Sequence, residues 1–120
     1  MLNLLIISAT NDNNLELSNN LQSMLKELDQ EAKVISLENF DFPLFGGKTD
    51  VDDELIHDLV EDISLAKGLI FCAPEYNGGV PPVLSNAITW VTVKTSNWRD
   101  AFSGKFALIA TSSGGDGKRF

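Results

Sequence analysis

Cysteine and histidine are nearly absent from this chain, with one of each among 120 residues. Cys72 has no second cysteine to pair with, so an internal disulfide is excluded and a reducing compartment is indicated. Because Cys72 lies in the apolar run of residues 68–73, it is interpreted as a small buried side chain and not as a nucleophile. His57 lies in an amphipathic segment, so we expect it at the solvent edge and expect no metal site.

Basic residues are also few. Seventeen Asp and Glu residues against nine Lys and Arg residues give a formal net charge of −8. Such a chain repels a phosphate backbone, so nucleic acid is not expected as a partner. A single phosphate group can still bind, because the backbone N–H groups at the start of a helix need no basic side chain to hold it.

Long apolar runs are missing as well, and no stretch approaches the roughly 18 residues that a membrane helix needs. The apolar residues 2–7 lack both the basic flank and the small-residue cleavage site of a signal peptide. We therefore interpret them as a buried strand and expect a soluble, cytoplasmic protein without a membrane partner.

Short apolar runs alternate with segments of helical periodicity along the chain. Apolar residues at 17, 21, 24, 25 and 28 share one helix face, and a second stripe in residues 52–66 leaves its acidic residues on a solvated face. The predicted strands are residues 2–7, 32–37, 69–73 and 106–111, and the predicted helices are residues 14–28, 52–66 and 83–93. This alternation predicts a parallel sheet with helices on both faces, a three-layer α/β sandwich, with residues 1–120 as one domain.

Ligands of open parallel sheets bind beyond the carboxyl ends of the strands, so the loops at 8–14, 74–82 and 112–117 are the candidate binding segments. The first of them offers hydroxyls and amides directly before a helix start, where a phosphate would fit. It is equally consistent with Asn13 or Asn14 merely capping that helix. Neither a G-x-G-x-x-G dinucleotide fingerprint nor a G-K-[ST] phosphate loop is present.

The loop after the third strand carries the strongest signal. It reads Pro-Glu-Tyr-Asn-Gly-Gly at residues 74–79, where the glycines permit a close backbone approach to a flat ligand and Tyr76 supplies an aromatic wall. Residues 74–90 closely resemble the signature of the NADPH-dependent FMN reductase family, a Pro-Glu-Tyr-Asn-Gly turn followed by a Leu-x-Asn-Ala-Ile-x-Trp helix. Residues 42–45, 103–105 and 112–115 resemble further family segments in the same order.

The resemblance implies a flavodoxin-like fold, bound FMN, and NADPH or NADH as the hydride donor to a small-molecule electron acceptor. It also implies a homodimer or homotetramer. The cofactor carries the chemistry, so no catalytic side chain is assigned. The implied cofactor-binding residues are Ser8, Thr10, Asn13, Asn14 and Leu15 at the phosphate, and Pro74, Glu75, Tyr76, Asn77, Gly78, Ser112, Ser113, Gly114 and Gly115 around the ring.

The chain departs from the family pattern in two places. Thr10 stands where the family commonly has an arginine, and Asn13 stands at its second serine. The family fold also continues with a helix, a strand and a helix after the fourth strand, so we expect either a C-terminally truncated fragment or a partner that covers the exposed sheet edge.

Three further expectations follow. The carboxylate of Glu75 should face a neighbouring subunit or solvent, because a negative charge beside a reduced flavin is unfavourable. Trp90 on the third helix and Trp98 after it could both belong to the core, but the family resemblance implies that this helix packs at a dimer interface. Two alternative functions remain open: a flavodoxin-type electron carrier without reductase activity, and a non-catalytic remnant of the fold that serves only protein association.

Overall fold

Four parallel strands form one sheet in the order β2-β1-β3-β4. The computed structural model describes residues 4–97 and 99–113. The elements are β1 Leu4–Ser8, α1 Asn13–Glu27, β2 Ala32–Ser36, α2 Asp53–Leu65, β3 Gly68–Cys72, α3 Pro82–Lys94 and β4 Phe106–Ala110, with a 3₁₀ turn at Leu37–Asn39. The predicted order of elements is confirmed, and the strand order is that of flavodoxin-like folds.

The reversal of strand order at β1 places helices on both faces. The chain moves from β1 to β2 in one direction and then crosses back over β1 to β3 and β4, so right-handed crossovers place α1 on one face and α2 and α3 on the other. Two apolar clusters reflect this arrangement. Ile6 and Ile70 pack towards α1, whereas Leu5 and Leu69 pack towards α2 and α3. The three-layer sandwich is therefore confirmed.

Helix α2 shows how local sequence sets the bounds of an element. It begins after Asp52, whose carboxylate accepts a hydrogen bond from the Glu54 N–H at 2.9 Å. It buries Ile56, Leu59 and Ile63, and at its C-terminal end Lys105 Nζ donates to Ser64 O and to the carbonyl of the C-cap residue Ala66.

The expected solvated face of α2 is confirmed for most of its acidic residues. His57 on this helix is exposed, as expected, and its Nε2 lies 3.7 Å from Glu61 Oε2. Asp62 is the exception, because it is largely buried and pairs with Lys33 of β2 at 2.8 Å. Cys72 is fully buried, as expected, and this burial raises the pKa of its thiol.

The fourth strand is an exposed sheet edge, as expected. Its apolar side chains remain open to solvent on both faces, with Phe106 87%, Leu108 55% and Ile109 58% exposed. The face that α1 covers is also open: Leu17, Leu21 and Leu25 pack against the sheet, but Met24 and Leu28, which were predicted on the same stripe, are exposed. One helix is too narrow to cover four strands. Within residues 4–97 and 99–113, no helix has the length and apolar character to cross a membrane.

Replacing Asp52 by alanine should lower the free energy of unfolding by about 1 kcal/mol, because the Glu54 N–H loses its cap. Chemical denaturation monitored by circular dichroism measures this change. Asp58→Ala is the matched control, since Asp58 is an exposed acid in the middle of the same helix. Equal losses in the two variants would contradict a capping role for Asp52.

Candidate functional site

Three loops leave the same edge of the sheet. Ser8 is paired with Cys72, and Cys72 with Ala110, so β1, β3 and β4 end side by side. The ladder continues one residue further, with Ala9 N–H donating to Cys72 O at 2.9 Å and Ala73 N–H donating to Ala110 O at 3.2 Å. This edge lies where the strand order reverses, which is where open parallel sheets bind their ligands.

The loop after β1 presents a run of free backbone donors. Ser8 and Thr10 are buried, and Ser8 Oγ donates to Thr10 O at 2.6 Å, which folds the loop tightly. The N–H groups of residues 10–14 donate no hydrogen bond to any described residue. Five successive free donors at the positive end of α1 are the groups that an anion at a helix start would need.

The capping interpretation of this loop is wrong. The N-cap residue of α1 is Asp12, whose side chain makes no capping hydrogen bond, and Asn13 and Asn14 are the first two residues inside the helix. The Asn13 side chain is exposed beside the free donors. The Leu15 N–H already donates to Asp12 O at 3.0 Å, so its contact with a phosphate stays a prediction.

The side chain of Asn14 bonds to the loop after β4. Its side-chain amide donates to Ser112 O at 2.9 Å and accepts from Ser112 N–H at 3.0 Å. Both atoms of the amide are therefore engaged with the loop after β4, and a phosphate contact of Asn14 stays a prediction. Ser112 itself is placed at the candidate edge by this pair of bonds.

The turn after β3 is a tight reversal. Tyr76 N–H donates to Gly79 O and Gly79 N–H donates to Tyr76 O, both at 3.0 Å. Asn77 and Gly78 between them have φ angles of 52° and 77°, the left-handed pair of a type I′ turn. The N–H groups of Glu75, Asn77 and Gly78 donate to none of the described residues. Pro74 is buried at the start of the turn, and Tyr76 is half-exposed.

Three buried polar atoms at this edge have no hydrogen-bond partner among the described residues: Glu75 Oε2, Thr111 Oγ1 and Ser113 Oγ. Buried polar atoms are rarely left unpaired, so a polar ligand is expected here. The Glu75 carboxylate was expected to face a neighbouring subunit or solvent; the burial of Oε2 contradicts the solvent alternative for that atom, and the neighbouring subunit stays a prediction. Thr111 was absent from the sequence-predicted site because it continues an apolar strand pattern. Gly114 and Gly115 lie outside the described residues, as does Trp98.

The Asn-Ala-Ile-x-Trp part of the sequence signature anchors the loop after β2. Asn86 donates to Pro43 O at 3.0 Å and accepts from Phe45 N–H at 2.8 Å, while Trp90 Nε1 donates to Pro43 O at 2.7 Å. The rings of Phe45 and Trp90 meet edge to face at 5.0 Å. Trp90 is buried within its own chain, so its ring belongs to the core.

Lys94, one turn after Trp90 on α3, makes a further contact with the segment between β2 and α2. Its ammonium lies 3.3 Å from a carboxylate oxygen of Asp50 and 3.5 Å from one of Asp53. The backbone N–H of Val51 and the Lys94 ammonium lower the pKa of Asp50. This face of α3 thus fixes the segment between β2 and α2.

A groove in the described part of the chain lies away from this edge. It has a volume of about 740 Å³ and runs along the outer edge strand β2 and α1. Its lining includes no residue of the turn after β3. The free N–H donors make the edge at the carboxyl ends of the strands the better candidate for the binding site. Among residues 4–97 and 99–113, no group of His, Cys, Asp and Glu side chains could hold a metal ion.

The family model for NADPH-dependent FMN reductases matches residues 2–119. A curated relative, subunit 2 of an NADH-dependent flavin reductase from Lactobacillus johnsonii, is 29% identical over 94 residues, which cover 78% of this chain and 50% of that protein. The chain thus spans about half the length of this relative.

Solved structures share the fold at low identity. The flavoenzyme NAD(P)H:(acceptor) oxidoreductase FerB from Paracoccus denitrificans superposes with a TM-score of 0.73 at 21% identity, covering 97% of this chain and 63% of that one. An azoreductase from Bacillus anthracis superposes with a TM-score of 0.63 at 16% identity, covering 96% and 70%.

Replacing Asn86 by alanine should lower the free energy of unfolding by about 2 kcal/mol, because two hydrogen bonds to the loop after β2 are lost. Urea denaturation measures the loss, and limited proteolysis should show faster cleavage within residues 43–49. Ser85→Ala on the neighbouring exposed position is the control and should change neither quantity. A variant Asn86→Ala as stable and as resistant as Ser85→Ala would contradict the anchoring role.

Proposed function

Because the chain belongs to the NADPH-dependent FMN reductase family, we propose that residues 1–120 form one FMN-binding domain of an NAD(P)H-dependent oxidoreductase. The donor is NADH or NADPH, and the final acceptor is a small molecule of the quinone, azo, metal-oxyanion or flavin type. One observation carries the proposal: a run of five free N–H groups and three unpartnered buried polar atoms converge on the edge where the strand order reverses.

The residues present fit FMN at both of its ends. The N–H groups of residues 10–14 and the positive end of α1 suit a phosphate without any basic side chain. The type I′ turn offers the N–H groups of Asn77 and Gly78 and the half-exposed ring of Tyr76 to a flat heterocycle. When bound, FMN supplies the hydride chemistry, so the protein needs no acid, base or nucleophile of its own.

In the proposed site, the side chains around this edge bind and orient FMN. Ser8 and Thr10 hold the phosphate loop in shape, and Asn13 lies exposed beside its donors. Ser112, Ser113, Gly114 and Gly115 form the second wall of the ring site in this proposal. The unpartnered Glu75 Oε2 accepts a hydrogen bond from the ligand or from a partner subunit.

We propose a cytoplasmic homodimer or homotetramer. A single, buried cysteine supports a reducing compartment. The exposed apolar residues Val80, Ile88 and Val93 on and before α3 support association through this helix, as part of an interface that excludes the buried Trp90.

The visible absorption spectrum tests the proposal directly. The purified chain is saturated with FMN, freed of excess cofactor and mixed with NADPH or NADH in air-free buffer. Retention of a protein-bound flavin band and its bleaching by either donor are expected. A bound flavin that neither donor bleaches would support an electron carrier instead, and a chain that retains no FMN would contradict the proposal and support the association remnant.

The backbone of the turn, and not the Asn77 side chain, should determine flavin affinity. Asn77→Gly should keep the FMN dissociation constant within about twofold, because glycine adopts positive φ freely. Asn77→Val should weaken binding by about tenfold, because the left-handed conformation is strained for a branched side chain. Fluorescence titration of the apoprotein measures both constants. Equal losses in the two variants would indicate a direct contact of the asparagine amide.

A further inference from the structure

The side chain of Asn14 and the backbone of Ser112 form a closed pair. The Asn14 amide donates to Ser112 O and accepts from Ser112 N–H across 98 positions of the sequence. Asn14 is only 2% exposed, so water does not compete for these bonds. We refer to this pair of hydrogen bonds as the Asn14–Ser112 clasp.

The clasp is the main support of the loop after β4. The β3–β4 ladder ends with the bond from Ala73 N–H to Ala110 O, and among the described residues no other hydrogen bond reaches residues 111–113. The strand from which this loop emerges is the exposed edge of the sheet. Without Asn14, both polar backbone groups of Ser112 would lose their partners among the described residues.

The loop carries two of the three unpartnered polar atoms of the site, Thr111 Oγ1 and Ser113 Oγ. These hydroxyls flank the clasped residue on both sides. The clasp therefore holds the residue between these two hydroxyls, and it joins their loop to the first turn of α1, where the run of free N–H groups ends.

We propose that Asn14 is a positioning residue for the flavin, which aligns the ring-facing loop 111–113 through Ser112 and makes no contact with the phosphate. The inference rests on the proposed function. It differs from the role expected from the sequence, in which Asn14 binds the phosphate directly. It predicts that loss of Asn14 weakens every ligand that uses the loop, with or without a phosphate group.

Riboflavin, which has the ring of FMN but no phosphate, separates the two roles. We expect Asn14→Ala to weaken FMN and riboflavin by the same factor, about tenfold, since two hydrogen bonds that order the loop are lost. Asp12→Asn is the phosphate-specific comparison, because it removes the negative charge of the N-cap residue of α1. It should strengthen FMN binding about threefold and leave riboflavin unchanged.

Hydrogen exchange of the flavin-free chain tests the clasp itself. The Ser112 amide should be protected in the wild type and exchange rapidly in Asn14→Ala, while Ile6 and Ile70 in the central strands remain protected and report an intact fold. Asn14→Asp keeps an acceptor for the Ser112 N–H but loses the donor, so it should show intermediate protection. This variant decides the question if Asn14→Ala does not fold.

The outcomes separate this inference from the proposed function. An Asn14→Ala variant that loses FMN affinity but keeps riboflavin affinity would overturn the positioning role in favour of a phosphate contact. Unchanged protection of Ser112 in both Asn14 variants would overturn it as well. A wild-type chain that binds neither flavin would overturn the proposed function and the positioning role together, while Ser112 exchange would still report whether the clasp exists.

Discussion

The parallel pairing of β1 with β2 on one side and β3 on the other determines where every candidate binding group lies. Because the pairing places Ser8 beside Cys72, and Cys72 beside Ala110, three loops that are distant in sequence begin at one edge. Each loop must leave the sheet there, and its first N–H groups have no further strand to pair with. The sheet order thus sets where the free donors lie, before any side chain is considered.

An acidic chain that binds a phosphate group needs its attraction to be local. The formal net charge of −8 repels an anion at long range, and this repulsion is screened by physiological salt beyond about 8 Å. Five successive N–H groups at the start of α1 act within hydrogen-bond distance, where screening is weak. In the proposed site, Thr10 stands where the family resemblance places an arginine, so the phosphate is left to the backbone and the exposed carboxylate of Asp12 opposes it.

The spacing of apolar residues predicted the order of the elements, because a helix buries one stripe of side chains and a central parallel strand buries both faces. It could not predict how completely a face is covered, which is why Met24 and Leu28 lie exposed on a stripe that looked buried. The turn at residues 74–79 was recognisable from its glycines and from its resemblance to the family signature, and the structure adds the positive φ angles of Asn77 and Gly78. The partners of Asn14 and Asn86 were not recognisable, since an asparagine amide pairs with any backbone segment that the fold brings near, and nothing in the local sequence identifies Ser112 or Pro43.

The order of loop 111–113 depends on the order of the edge strand from which it emerges. Strand β4 is apolar on both faces, a pattern typical of a strand covered on both sides, yet Phe106, Leu108 and Ile109 remain largely exposed. Because, among the described residues, this strand has a neighbour on one side only, it supports loop 111–113 weakly. The Asn14–Ser112 clasp adds two hydrogen bonds at Ser112. A partner subunit that packed against β4 would add to the same support, because ordering β4 lowers the conformational entropy that the loop loses when a ligand binds. Among residues 4–97 and 99–113, Asn14 is the one side chain that joins loop 111–113 by hydrogen bonds to the start of α1, so in the proposed site the support that β4 gives the loop and the support that α1 gives it meet at Ser112.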